Sequence, residues 1–213
     1  MSTHFRVNKT CYLCFEESEH FVLGSSNTFG SPDLDLRPAP MMRNTMRFWI
    51  QECPRCGYVS TSIDEKTSIT LDYLKTDEFN SYRDRNFKSP LAVKFFKSYL
   101  ISKQDNNIKD MFYNLLHTAW VCDDYRDFAN ALFCRELALE IIDELIKEEG
   151  KEELKLVKCD LLRRSKQFDR LINEYSSVNF SNDILNKVLA FQINKAKEKD
   201  SKCYLVSDAN KDN

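Results

Sequence analysis

Two Cys-x-x-Cys pairs, Cys11/Cys14 and Cys53/Cys56, stand 38 residues apart in a chain of 213. A pair spaced this way can turn both sulfurs toward one cation. Two such turns close a tetrahedral four-sulfur site, the arrangement that structural zinc prefers. The second pair reads Cys53-Pro54-Arg55-Cys56-Gly57-Tyr58, and its glycine suits the tight turn in which backbone N–H groups point at thiolates. The first, Cys11-Tyr12-Leu13-Cys14-Phe15, lacks that glycine and reads as the less regular half. Cys11, Cys14, Cys53 and Cys56 are therefore the expected metal ligands, with zinc as the expected ion. Four thiolates leave no open coordination position, which argues against a catalytic metal. A thiol-based redox or metal-responsive sensor remains an alternative, although redox pairs usually come singly, between a strand and a helix. Cys122, Cys134, Cys159 and Cys203 are isolated and read as small buried apolar residues.

The cysteine-paired region is also where the turn formers lie. Three of the four glycines and four of the five prolines precede residue 58. Loops and short strands are expected there, with strands at Phe21–Leu23, Met46–Gln51 and Tyr58–Ile63. Apolar residues then recur at helical spacing. Leu91, Phe95, Phe96, Tyr99 and Leu100 follow Pro90, a good first-turn residue. Ile108 to Trp120 gives the clearest period, and Phe128 to Ile146 makes a longer helix ending at Gly150. Leu154–Leu162 and Phe168–Tyr175 follow, and Ser181 is placed to cap a last helix carrying Leu185, Val188, Leu189 and Gln192. The expected fold is mainly α: a small N-terminal zinc-ribbon-like β/loop module (1–63), a tetratricopeptide-like helical-hairpin stack (64–200) and a tail (201–213). Leu115, Ala119, Ala131 and Ala138 carry the large-small-small-small spacing of such a repeat. Ala131 to Leu171 spans 40 residues, where the consensus repeat is 34, so a single helical-hairpin bundle competes with a true repeat.

Charge narrows the partners. Lys plus Arg number 31 against 33 Asp plus Glu, and residues 1–60 are neutral. A ribbon gripping nucleic acid normally brings surplus Lys and Arg to the phosphates, so a nucleic-acid role is a further alternative rather than the first. The basic group Arg163, Arg164, Lys166 and Arg170 reads as a solvated helix face. No window resembles a membrane span and the N-terminus has no apolar signal core, so a cytoplasmic protein without a membrane partner is expected. There is no Gly-x-Gly-x-x-Gly or Walker loop.

Between the cysteine pairs, Asp33, Asp35 and Arg37 alternate within a segment rich in turn residues. In an extended strand they would share one face and could meet a ligand or a partner. The competing reading has Arg37 pairing with one of the two carboxylates.

The cysteine pairs, the run Phe29-Gly30-Ser31-Pro32-Asp33-Leu34-Asp35-Leu36-Arg37-Pro38, and the stretches Ala119-Trp120-Val121-Cys122-Asp123-Asp124 and Asp160-Leu161-Leu162-Arg163-Arg164 resemble a family of uncharacterised bacterial proteins with a domain of unknown function. The resemblance implies an N-terminal four-cysteine metal module on a tetratricopeptide-like helical part, and it implies no activity. Leu171 stands where a repeat would carry a small residue. The expected function is a non-enzymatic, metal-stabilised scaffold that binds a protein or peptide.

Overall fold

A computed structural model of the chain describes residues 2–210; positions 211–213 of the expected tail lie outside the described residues. The fold is mainly helical, with two small two-stranded sheets toward the N-terminus. Among the described residues no helix is long and apolar enough to cross a membrane. The chain packs as two compact units. One groups the residues up to Phe29 with Pro40–Ala131; the other groups Gly30–Ala39 with the residues from Leu132 onward.

In the first unit, strands β1 (Thr3–Thr10) and β2 (Glu17–Ser25) pair antiparallel, from Thr10 opposite Glu17 to His4 opposite Leu23. Most of both strands is exposed or half-buried. That is why β1 has no apolar alternation to announce it: neither of its faces enters a core. β3 (Gln51–Glu52) pairs with β4 (Val59–Ser60). The first half of the strand expected over Met46–Gln51 lies instead in a 3₁₀ turn, Arg43–Phe48, and only Gln51 belongs to a strand. Side-chain bonds close that turn: Thr45 Oγ1 donates to the Met42 carbonyl (2.7 Å) and accepts from Trp49 Nε1 (2.9 Å).

A short helix α1 (Asp77–Asn80) precedes α2 (Pro90–Gln104), which has Ser89 as its N-cap and proline in its first turn. α2 and α3 (Ile108–Asp124) pack together, and Phe95, Phe112, Leu115, Leu116, Ala92 and Ala119 are buried. Their period was legible because these residues fall at i, i+3, i+4 and i+7.

The division between the units falls within α4 (Phe128–Glu149). In the second unit α5 (Glu152–Arg164), α6 (Phe168–Tyr175) and α7 (Asp183–Lys197) pack on one another around Leu154, Val157, Leu161, Leu162 and Leu171. The N-cap of α7 is Asn182, whose side chain accepts from Ile184 N at 2.8 Å; Ser181 instead bonds Glu152. Helix ends repeat one device. Asn106, Arg126, Lys166 and Lys199 each take a left-handed conformation, with φ of 52°, 53°, 59° and 56°. The next N–H then returns five residues back, at 2.9, 2.8, 2.8 and 2.9 Å to the carbonyls of Ser102, Cys122, Leu162 and Lys195. This is the Schellman closure, made here without glycine. Gly150, with φ 65°, ends α4.

The basic group Arg163, Arg164, Lys166 and Arg170 is a solvated face only in part. Arg163 is fully buried, donating to the carbonyls of Asp200 (3.1 Å) and Lys202 (2.6 Å), pairing with Asp160 and lying over the Tyr204 ring. Lys166 and Arg170 are exposed as expected.

Candidate metal centre

Each cysteine pair forms the turn of a hairpin. Cys11 to Glu16 joins β1 to β2, and Cys53 to Tyr58 joins β3 to β4. The two turns carry the same hydrogen-bond frame. Cys11 N donates to Glu16 O at 2.9 Å and Phe15 N to Cys11 O at 2.9 Å; Cys53 N donates to Tyr58 O at 2.8 Å and Gly57 N to Cys53 O at 3.0 Å. Gly57 takes φ 73°, and Phe15 takes φ 59° at the matching place. The first turn is therefore as regular as the second, contrary to its sequence. A left-handed Phe is uncommon, and Phe15 is 77% exposed, so its ring contributes little packing to offset that conformation.

The two frames bring the sulfurs together. Cys11 Sγ lies 3.7 Å from Cys56 Sγ, Cys14 Sγ lies 3.5 Å from Cys53 Sγ, and all four lie within 4.8 Å of one another. Zinc–sulfur bonds of about 2.3 Å at tetrahedral angles put sulfurs about 3.8 Å apart, so the cluster has the size of a four-thiolate site. None of the four is in a disulfide. Cys11 and Cys53 are buried and Cys14 and Cys56 half-buried.

Electrostatics within the cluster divide the thiols. Burial pushes the Cys11 and Cys56 thiols up, against backbone N–H donors from Cys14 and Leu13 to Cys11 and from Tyr58 to Cys56. Burial also acts upward on Cys14, but the Glu16 N–H and the neighbouring sulfurs outweigh it and hold that thiol below its ordinary value. These N–H donors would serve a metal thiolate equally well.

Two features that the sequence did not announce hold the turns in place. A main-chain bond from Tyr12 N to Ile63 O (2.8 Å) ties the first turn to the segment after β4. Glu52, next to Cys53, pairs with the buried Lys97 of α2 at 2.5 Å, and the Lys97 ammonium also lies 5.5 Å from the ring centres of Phe79 and Tyr82. A Cβ added at Gly57 would lie 3.3 Å from Lys97 Nζ.

The residues singled out between the cysteine pairs lie in the second unit. Asp33, Asp35 and Arg37 are all buried. They do not share a face of an extended strand: Leu36 takes φ 67°, and Asp33 N bonds Arg37 O at 2.9 Å across a tight turn. Asp35 accepts from Arg37 N (3.3 Å) and from Arg164 (3.2 Å), while Asp33 Oδ2 lies 3.4 Å from Cys203 Sγ. Leu34 N bonds Tyr204 O at 3.0 Å and Val206 N bonds Pro32 O at 2.9 Å, so the turn is tied to the C-terminal segment. Cys122, Cys134 and Cys159 are buried as expected, whereas Cys203 is exposed.

Comparison with family models, with curated proteins and with solved structures found no match to this chain.

Proposed function

We propose that Cys11, Cys14, Cys53 and Cys56 hold a structural zinc ion in a ribbon-like module, and that the protein is a metal-stabilised scaffold for a protein or peptide partner in the cytoplasm. The observation that carries the metal reading is the convergence of four sulfurs, within 4.8 Å, from two hairpin turns of the same backbone frame. A fifth ligand has no place in a closed four-thiolate shell, so the ion is structural rather than catalytic. Eight free cysteines suit a reducing compartment.

The scaffold reading draws on the helices. The turn Tyr125-Arg126-Asp127-Phe128 recurs as Ser165-Lys166-Gln167-Phe168, and both have the left-handed closure. This supports helical hairpins of tetratricopeptide type with a long period. Metal analysis of protein purified without added zinc tests the proposal, with about one zinc per chain expected. Chelation should release it and abolish near-UV dichroism from the first unit. A metal-free protein with intact dichroism overturns the reading. Rapid, reversible disulfide formation in metal-loaded protein would favour the sensor alternative. For the scaffold, a partner retained by the wild type and lost by Cys53→Ser is expected.

A further inference from the structure

The first unit contains a cavity of about 450 Å3 between the end of α2, the start of α3 and the β4 strand that follows the second cysteine turn. His117 of α3 stands in its wall. Its ring is enclosed by Trp49 (5.3 Å between centres), Phe95 (5.0 Å), Trp120 (5.0 Å) and Tyr113 (6.5 Å). Among the described residues no hydrogen bond engages either ring nitrogen. Burial lowers the imidazole to about 4, so it is neutral at pH 7 and offers one donor and one acceptor. His117 is half-buried, so a neutral imidazole held in an aromatic wall offers its donor and acceptor at the edge of the cavity.

The remaining lining sets the chemistry. Asn114 spends one of its two amide N–H groups on Ser102 Oγ at 3.3 Å, which leaves its carbonyl oxygen and one N–H available. Toward solvent the lining carries three carboxylates, Glu65, Asp105 and Asp110, against one ammonium, Lys66. Asp105 accepts from Ser68, and Asp110 from Asn107 Nδ2 at 2.9 Å, and each carboxylate has further lone pairs. Aromatic faces and a negative mouth both favour a cation. They disfavour anions. The volume suits a small molecule.

We propose that this cavity binds a small organic molecule carrying an ammonium or guanidinium group, with His117 as a direct hydrogen-bonding residue and Asp105 and Asp110 as the charge that admits it. The test is calorimetry on metal-loaded, full-length protein at about 150 mM salt, where exposed charges are screened. Agmatine and spermidine are the probes, with glutamate as the control. Saturable binding of one probe or both is expected, weakened by about tenfold or more in His117→Phe and in the double variant Asp105→Asn/Asp110→Asn. The proposal is overturned if neither probe binds saturably, if glutamate binds as well, or if both variants bind as the wild type does. The last result would place the probes on the acidic surface rather than in the cavity. Should His117→Phe lose its near-UV dichroism, the double variant decides alone, because both aspartates are exposed. Metal content, measured on the same samples, separates failure of this site from failure of the zinc reading.

Discussion

The two cysteine turns reach one geometry from different residues. The second has glycine at its left-handed position and is clamped from below by the Glu52–Lys97 pair. The first has Phe15 there, largely exposed, and is held by its long β1–β2 hairpin and by the bond from Tyr12 to Ile63. What the two have in common is the hydrogen-bond frame that aims the sulfurs. Glycine lowers the cost of that frame but is not needed to make it. A left-handed conformation costs an ordinary residue about 1–2 kcal/mol, which is small beside the free energy of binding a structural zinc ion.

This comparison can be broken most sharply at the sulfurs. Cys14→Ser and Cys56→Ser are expected to lose the metal alike, each lowering the melting temperature by more than about 10 °C. Metal analysis with a thermal melt checks this, and clearly unequal losses would show that the turns are not equivalent. Lys97→Met removes the buried clamp under the second turn alone and leaves Glu52 with only its longer pair to Lys94, at 3.7 Å. A loss of about 2 kcal/mol in denaturant unfolding is expected, whereas Arg55→Ala, which breaks an exposed pair with Glu16, should cost under about 1 kcal/mol. Gly57→Ala adds a Cβ at a positive φ and presses it toward Lys97, for an expected loss of about 1–2 kcal/mol. The smallest effect has the opposite sign. Phe15→Gly should stabilise by about 0.5 kcal/mol, since relief of the left-handed Phe exceeds the entropy that glycine adds to the unfolded chain. A destabilised Phe15→Gly variant would mean that the Phe15 ring makes a contribution its exposure does not suggest.

The sequence made the sulfur cluster legible because Cys-x-x-Cys spacing constrains geometry locally, and only the meeting of the two pairs had to be supposed. The long helices were legible because burial on one face writes a period into the chain. The rest depended on contacts distant in sequence. Arg163 and Arg164 look like solvent-facing charge until Asp160, Asp35 and the Asp200 and Lys202 carbonyls are brought beside them. β1 was silent because it buries neither face. Phe15 gave no sign of its left-handed turn, since residue type predicts that conformation only for glycine and, weakly, asparagine. His117 stood within a strongly periodic helix, and only the surrounding rings distinguish it from an ordinary core position.

The turn at residues 30–39 packs with the C-terminal helices although it lies in sequence between Cys14 and Cys53. The protein therefore cannot be dissected by a single cut. Expressing the N-terminal portion alone would strand Leu34, Asp35 and Ala39 in water, and expressing the C-terminal portion alone would leave Arg164 without its carboxylate. Any deletion study that treats the two portions as separable will confuse loss of a function with loss of a shared segment of backbone.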